Sequence, residues 1–166
     1  RRTSTVETRW SSVTDTAYAR VAPSSNPRFA SRGAVKAQAG PSAASRLDPF
    51  TDEVYLHQVR VRRGDGTIHS FKDLTKETIR QLSDISAGEV RAHFHVPLYF
   101  SGDDVLSSTS SCLTPELFAL LKGKTNYLEI ETYTYNVLPE ELRSRDVTIS
   151  IADEYKWVLN KLGTNP

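Results

Sequence analysis

Val90-Arg91-Ala92-His93-Phe94-His95-Val96-Pro97-Leu98 is the stretch on which the fold turns. Side chains along a strand point to alternate faces, so Phe94 and Val96 belong to one face and His93 and His95 to the other. Pro97, with no N–H to give a ladder, closes the strand. Further along, Thr114 and Pro115 have the residue types of an N-cap and a first helical position, predicting a helix over 115–122 that stops at Gly123. A strand over Tyr127–Tyr135 follows. A helix over Val147–Leu162 then ends at Gly163, with Ile151, Tyr155, Val158 or Leu159, and Leu162 as its apolar stripe. Upstream, a helix over Thr75–Asp84 precedes the histidine strand. His93 and Glu129 stand 36 residues apart, the length of one strand-helix repeat. Strands alternating with helices predict an α/β class with a parallel sheet.

Farther towards the N-terminus, Ala34–Gln38 reads as a short strand. Val54–Val61 reads as a longer one, turning at Gly64-Asp65-Gly66 towards Thr67–Phe71 as a hairpin. Roughly 20 residues separate the starts of those strands, which is tight for a crossover with its own helix, and the hairpin is expected as an excursion beside the main sheet. Residues 1–33 contain Pro23, Pro27 and Gly33 among many Ser and Thr, with no apolar period, and no structure is assigned to them. Two regions are expected: a basic Ser/Thr-rich arm, linker or degenerate segment over 1–33, and a folded part over 34–166.

The formal net charge is +1, but residues 1–46 hold eight Lys and Arg against Glu7 and Asp15. Such a basic, acid-poor front has the composition of an organelle transit peptide or a disordered linker. No apolar run approaches the ~20 residues that span a membrane. A single cysteine, Cys112, excludes an internal disulfide and a cysteine-cluster metal site, and fits a reducing, cytoplasmic setting. The sequence holds no Met, position 1 included, as expected of a chain with an upstream segment removed. Organelle import by such a segment is an open alternative. Nucleotide-binding and Ser-His-Asp motifs are absent, and no nucleic-acid partner is expected.

If the sheet closes into a barrel, the apolar faces meet the helices and the polar faces turn inward. Glu129 and Glu131 then share an interior with His93 and His95, Lys36 and Gln38, and His57. Burying unpaired carboxylates costs several kcal/mol, and a divalent cation, zinc, manganese, iron or magnesium, would compensate. Pro97 and Asn136 end their strands, placing His95 and Glu131 nearer the rim. A strand histidine such as His57 or His93 is, taken alone, more often a hydrogen-bonded core or surface residue than a ligand, and Glu129 could equally orient a ligand from behind.

Val54–Val59, His93–Pro97 and Leu128-Glu129-Ile130-Glu131-Thr132-Tyr133-Thr134-Tyr135-Asn136-Val137-Leu138-Pro139-Glu140-Glu141-Leu142 resemble the C-terminal segments of EboE-type metabolite-traffic proteins. These belong to the xylose-isomerase-like TIM-barrel group. Val35–Gln38 resembles the preceding family strand more loosely, and the resemblance spans about residues 34–163. It implies the C-terminal part of a TIM (β/α)8 barrel, incomplete because a whole barrel needs about 250 residues. It also implies Glu131 and His95 as metal ligands, and Asp15 as a faint echo of a further one in an upstream Asp-Thr-Cys-His segment whose Cys and His are missing.

The expected function is binding of a small polar metabolite, a sugar or sugar phosphate, at a metal-containing mouth. Isomerisation is the expected reaction if the chain is catalytic. Glu129, His93 or His57 would then move a proton or position substrate, and Lys36 and Gln38 would hold substrate. The alternatives are a non-catalytic binding module, an inactive fragment that self-associates through open strand edges at Ala34–Gln38 and Tyr127–Tyr135, and a metal-dependent phosphodiester hydrolase by analogy of fold.

Overall fold

The computed structural model describes residues 28–31, 33–122, 124–125, 127–130, 134–143 and 146–164. In chain order these form β1 (Arg28–Ser31), β2 (Gly33–Gln38), α1 (Pro41–Leu47), β3 (Val59–Arg62), β4 (Ile68–Phe71), α2 (Lys76–Ser83) and β5 (Glu89–Val96). The short β6 (Ser107–Ser108), α3 (Pro115–Lys122), β7 (Tyr127–Ile130) and α4 (Val147–Leu162) follow. Single 3-10 turns lie at Asp48–Phe50, Thr109–Cys112, Tyr135–Val137 and Glu140–Leu142.

Five strands stand side by side in the order β4-β3-β5-β2-β6, and every neighbouring pair is antiparallel. This overturns the expected barrel of parallel strands: the fold is α+β, an open antiparallel sheet with helices. The strands and helices that were expected do follow one another in that order, with α1, β1 and β6 unforeseen among them, but order does not carry direction. The connection through α2 does not cross over to a parallel neighbour. It returns β5 between β2 and β3, antiparallel to both, with Val35 and Val59 each opposite Ala92. The hairpin β3–β4 belongs to this main sheet and is no excursion from it. The segment 39–58 also holds a helix after all. Pro41 at its first turn starts α1, which needs only seven residues.

One face of the sheet carries Val35, Ala37, Val59, Val61, Val90, Ala92, Phe94 and Val96, and these pack with Ala43, Ala44 and Leu47 of α1 and Leu82 of α2. Phe94 is fully buried and meets Phe50 edge to face, with ring centroids 5.0 Å apart. Leu98, Leu113, Phe118, Leu121 and Val158 form a second cluster, against which Leu128, Ile130 and Trp157 pack. The parallel pairing expected throughout occurs, among the described residues, only between β1 and β7, from Arg28 opposite Tyr127 to Ser31 opposite Ile130. β1 lies within the stretch given no structure from the sequence. β7 stops at Ile130, residues 131–133 lie outside the described residues, and Tyr135 is already in a 3-10 turn, so the expected strand to Tyr135 is shorter.

The helix ends follow their residue types. Thr75 accepts from the Thr78 N–H, Asp146 from the Thr148 N–H, and Gly163 ends α4 at φ 70°. The expected stripe of α4 is rotated, however. Ser150, Glu154 and Val158 face inward, while Tyr155 is exposed. The helix end expected at Gly123 falls outside the described residues.

Candidate functional site

From the turn at Asp48–Phe50 the chain runs as a loop into β3, and Asp52 organises it. One carboxylate oxygen of Asp52 accepts from the N–H groups of Val54 and Tyr55, at 2.7 and 2.8 Å. The other bonds Nε2 of His57. His57 is buried, its backbone N–H donates to Asp73 Oδ1 at 2.7 Å, and its ring lies against Phe94 with centroids 4.2 Å apart. Its Nδ1 lies 3.3 Å from the carbonyl oxygen of His93. A carbonyl only accepts, so Nδ1 is the donor in this bond. Burial pushes the Asp52 carboxyl up, but the N–H of Tyr55, the His57 ring and the N–H of Val54 outweigh it and leave the carboxyl below its ordinary value.

Beside Asp52 opens a cleft of about 640 Å³, lined by Pro49 and Asp52 on one side and by Asn136, Leu138, Glu140 and Arg143 on the other. That volume lies within the range of small-molecule sites, about 300–1,000 Å³. Arg46 of α1 ties the far wall in place, bonding Glu141 at 2.8 Å and also Asp103. The cleft thus joins a loop fixed by its own carboxylate to a wall held by an ion pair.

A second polar group lies where β5 ends. Nε2 of His93 and Nε2 of His95 are 3.3 Å apart, one donating to the other. The Thr134 hydroxyl donates to the His95 carbonyl at 3.0 Å, and the Glu154 carboxylate accepts from the N–H of Leu98 at 3.0 Å. Burial raises Glu154 from 4.5 to about 7, with the Leu98 N–H pulling the other way.

The sequence-derived site residues do not converge on one centre. Lys36 and Gln38 share the polar face of the sheet with His93 and His95, but lie opposite Arg91 and Glu89, down the strands from His95. His57 packs on the Phe94 side, behind that face. Glu129 is on β7, in the separate two-stranded sheet, with its side chain exposed. Glu131 and Asp15 lie outside the described residues. Among the described residues no group of three or more His, Cys, Asp or Glu could hold a metal ion, so the expected metal-binding mouth is not assembled by them. In an open antiparallel sheet neighbouring strands run opposite ways, so residues near the ends of different strands are not gathered at one rim as in a barrel.

Sequence reading passed over Asp52, Asp73 and Glu154. Asp52-Glu53-Val54-Tyr55 does carry a local signal, an aspartate able to close a turn on its own backbone. Glu154 stands at i, i+4 spacing from Ser150 and Val158, a periodicity hidden by its charge.

No family model matches the chain, and neither a curated protein nor a solved structure matches it. Fold and cleft define an α+β domain with an open antiparallel sheet and a ligand-sized recess between the Asp52 loop and the 136–143 segment. No helix among the described residues is long and apolar enough to cross a membrane.

Proposed function

We propose that the chain is a binding domain for a small polar metabolite of polyol or sugar character, taken up in the cleft between Asp52 and the 136–143 segment. The observation that carries this is the cleft itself: about 640 Å³, with the amide of Asn136, the carboxylates of Asp52 and Glu140 and the guanidinium of Arg143 around the apolar Leu138. A few polar groups converging on an apolar patch is how such sites fix orientation. A ligand hydroxyl meets acceptors at Asp52 and Glu140, and Arg143 offers donors to a ring oxygen or a phosphate.

The test is ligand-observed NMR on the full chain with a panel of sugars, polyols and sugar phosphates, each with and without a divalent cation. Binding at roughly millimolar or tighter, weakened in Asn136→Ala and Glu140→Gln, is the expected result. No member of the panel binding, or equal binding by both variants, would overturn the proposal.

A further inference from the structure

Across the main sheet one line of directly opposed residues runs Ser70, Arg60, Arg91, Lys36, Ser107, one from each of the five strands. Opposed residues point to the same face with Cβ atoms about 4.5–5.5 Å apart, so three cations stand abreast between two hydroxyls. This is the face away from the helices α1 and α2 and away from the core that contains Leu138 of the cleft. The next line on it runs Ile68, Arg62, Glu89, Gln38. Together the two lines hold Lys36, Arg60, Arg62 and Arg91 against the single carboxylate of Glu89. Glu89 pairs chiefly with Arg91, through Nε at 2.7 Å and a second guanidinium nitrogen at 2.6 Å, and stands 4.0 Å from Arg62. The Arg60 guanidinium donates to the carbonyl oxygens of Val59 and Phe71, at 3.0 and 3.3 Å. No hydrogen bond or ion pair engages the Lys36 ammonium among the described residues.

Like charges directly opposite one another destabilise a sheet; Glu89 offsets Arg91, and the charges of Arg60 and Lys36 at the two ends of the row meet no carboxylate among the described residues, an arrangement that an anion would relieve. We propose that this row binds a small ligand carrying two or more linked phosphate or carboxylate groups. The strand spacing sets the size. Lys36 and Arg60 are two strands apart, about 9.5 Å, so a single oxyanion engages one end and a linked pair engages both. Arg91, buried between them with 7% of its surface exposed, is paired with Glu89, so the two anionic groups of the ligand are held by Lys36 and Arg60. Ser70 and Ser107 add hydroxyl donors at the ends. The two lines contain no Phe, Tyr or Trp, which a single-stranded nucleic acid would need for stacking, so the small anion is favoured over RNA or DNA.

The proposal is independent of the cleft, and its experiment is a calorimetric titration of the full chain with pyrophosphate at low ionic strength. Orthophosphate, citrate and an oligouridylate are titrated in parallel. Expected are saturable binding of pyrophosphate and citrate, weaker binding of orthophosphate, and a loss of about tenfold for each charge removed in Lys36→Gln and Lys36→Gln/Arg60→Gln. Lys76→Gln, which removes a helix lysine paired with Asp48 at 2.9 Å, should bind as the parent does. Lys36→Gln breaks no bond of the fold and keeps the test readable if the double variant unfolds. Absence of saturable pyrophosphate binding would overturn the proposal, as would equal weakening by Lys76→Gln. Oligouridylate binding that tightens with length and exceeds pyrophosphate would replace it with a nucleic-acid surface.

Discussion

The carboxylate of Glu154, on the inward face of α4, accepts a hydrogen bond of 3.0 Å from the backbone N–H of Leu98, two residues beyond β5. That bond pins the C-terminal helix to the end of the central strand, and it places an ionisable group where only 5% of the residue is exposed.

Burial raises Glu154 from 4.5 to about 7. A carboxyl raised in the folded state favours folding while protonated, and this contribution is lost as pH rises from the unfolded value through the folded one. Stability should therefore fall between about pH 4.5 and 7 by up to roughly 3 kcal/mol from this group. Glu154→Gln keeps an acceptor for the Leu98 N–H without the charge. Thermal melts of parent and variant across that window should diverge, the variant being the more stable at pH 7.5; parallel melting curves would rule the titration out.

Asp52 titrates in the opposite sense. The Asp52 carboxyl lies below its ordinary value, so its contribution is present above the unfolded value and disappears as pH falls through the folded one. Asp52→Ala removes the acceptor for two backbone N–H groups and for His57, and should cost about 1–3 kcal/mol by chemical denaturation at neutral pH. Nitrogen-15 spectra should show a proton on His57 Nδ1, the nitrogen that faces the His93 carbonyl. A bare Nδ1 would contradict the bond to the His93 carbonyl.

Phe94 is the centre of the main core, fully buried and in edge-to-face contact with Phe50. Phe94→Ala should destabilise by about 3–5 kcal/mol, read as a shift in denaturation midpoint. His93, its half-buried neighbour on the other face, should tolerate His93→Gln with less than about 1 kcal/mol of change.

Gly88 precedes β5 at φ 137°, and a Cβ there would stand 2.3 Å from the carbonyl oxygen of Arg62. Gly88→Ala should cost about 1–3 kcal/mol, whereas Gly64→Ala, with nothing within 4 Å, should be close to neutral. Equal melting temperatures for the two variants would contradict the close approach of β3 to the start of β5.

Much of the local structure was legible. The helices over 76–83, 115–122 and 147–162 and the strands β2 and β5 were readable within a residue or two, because caps, proline and glycine act on their immediate neighbours. β3 was longer in expectation than in fact. Val54 and Leu56 alternate like strand residues, but Asp52 closes the backbone around them and leaves both exposed. β1 and β6 escaped notice because Arg28–Ser31 and Ser107–Ser108 have no pattern of their own and exist only by pairing with β7 and β2.

The candidate site was less legible for a related reason. Alternation correctly put Lys36, Gln38, His93 and His95 on the side away from Val35, Ala37, Phe94 and Val96, since period two is a property of one strand. Which polar residues meet across strands is a property of register and direction. Lys36 meets Arg91, not a histidine, because β2 runs antiparallel to β5, and His57 ends behind the sheet because its ring packs on Phe94.

By itself the sequence determined the kinds and approximate limits of the elements, the faces they bury and the turns that punctuate them, all set by interactions within a few residues. Only the tertiary structure decided that the sheet is open and antiparallel, that Asp52 and the 136–143 segment face each other across a cleft, and that Arg60, Arg91 and Lys36 stand abreast. Those facts depend on contacts between residues tens of positions apart, and a one-dimensional pattern does not record which strand lies beside which or in what direction it runs.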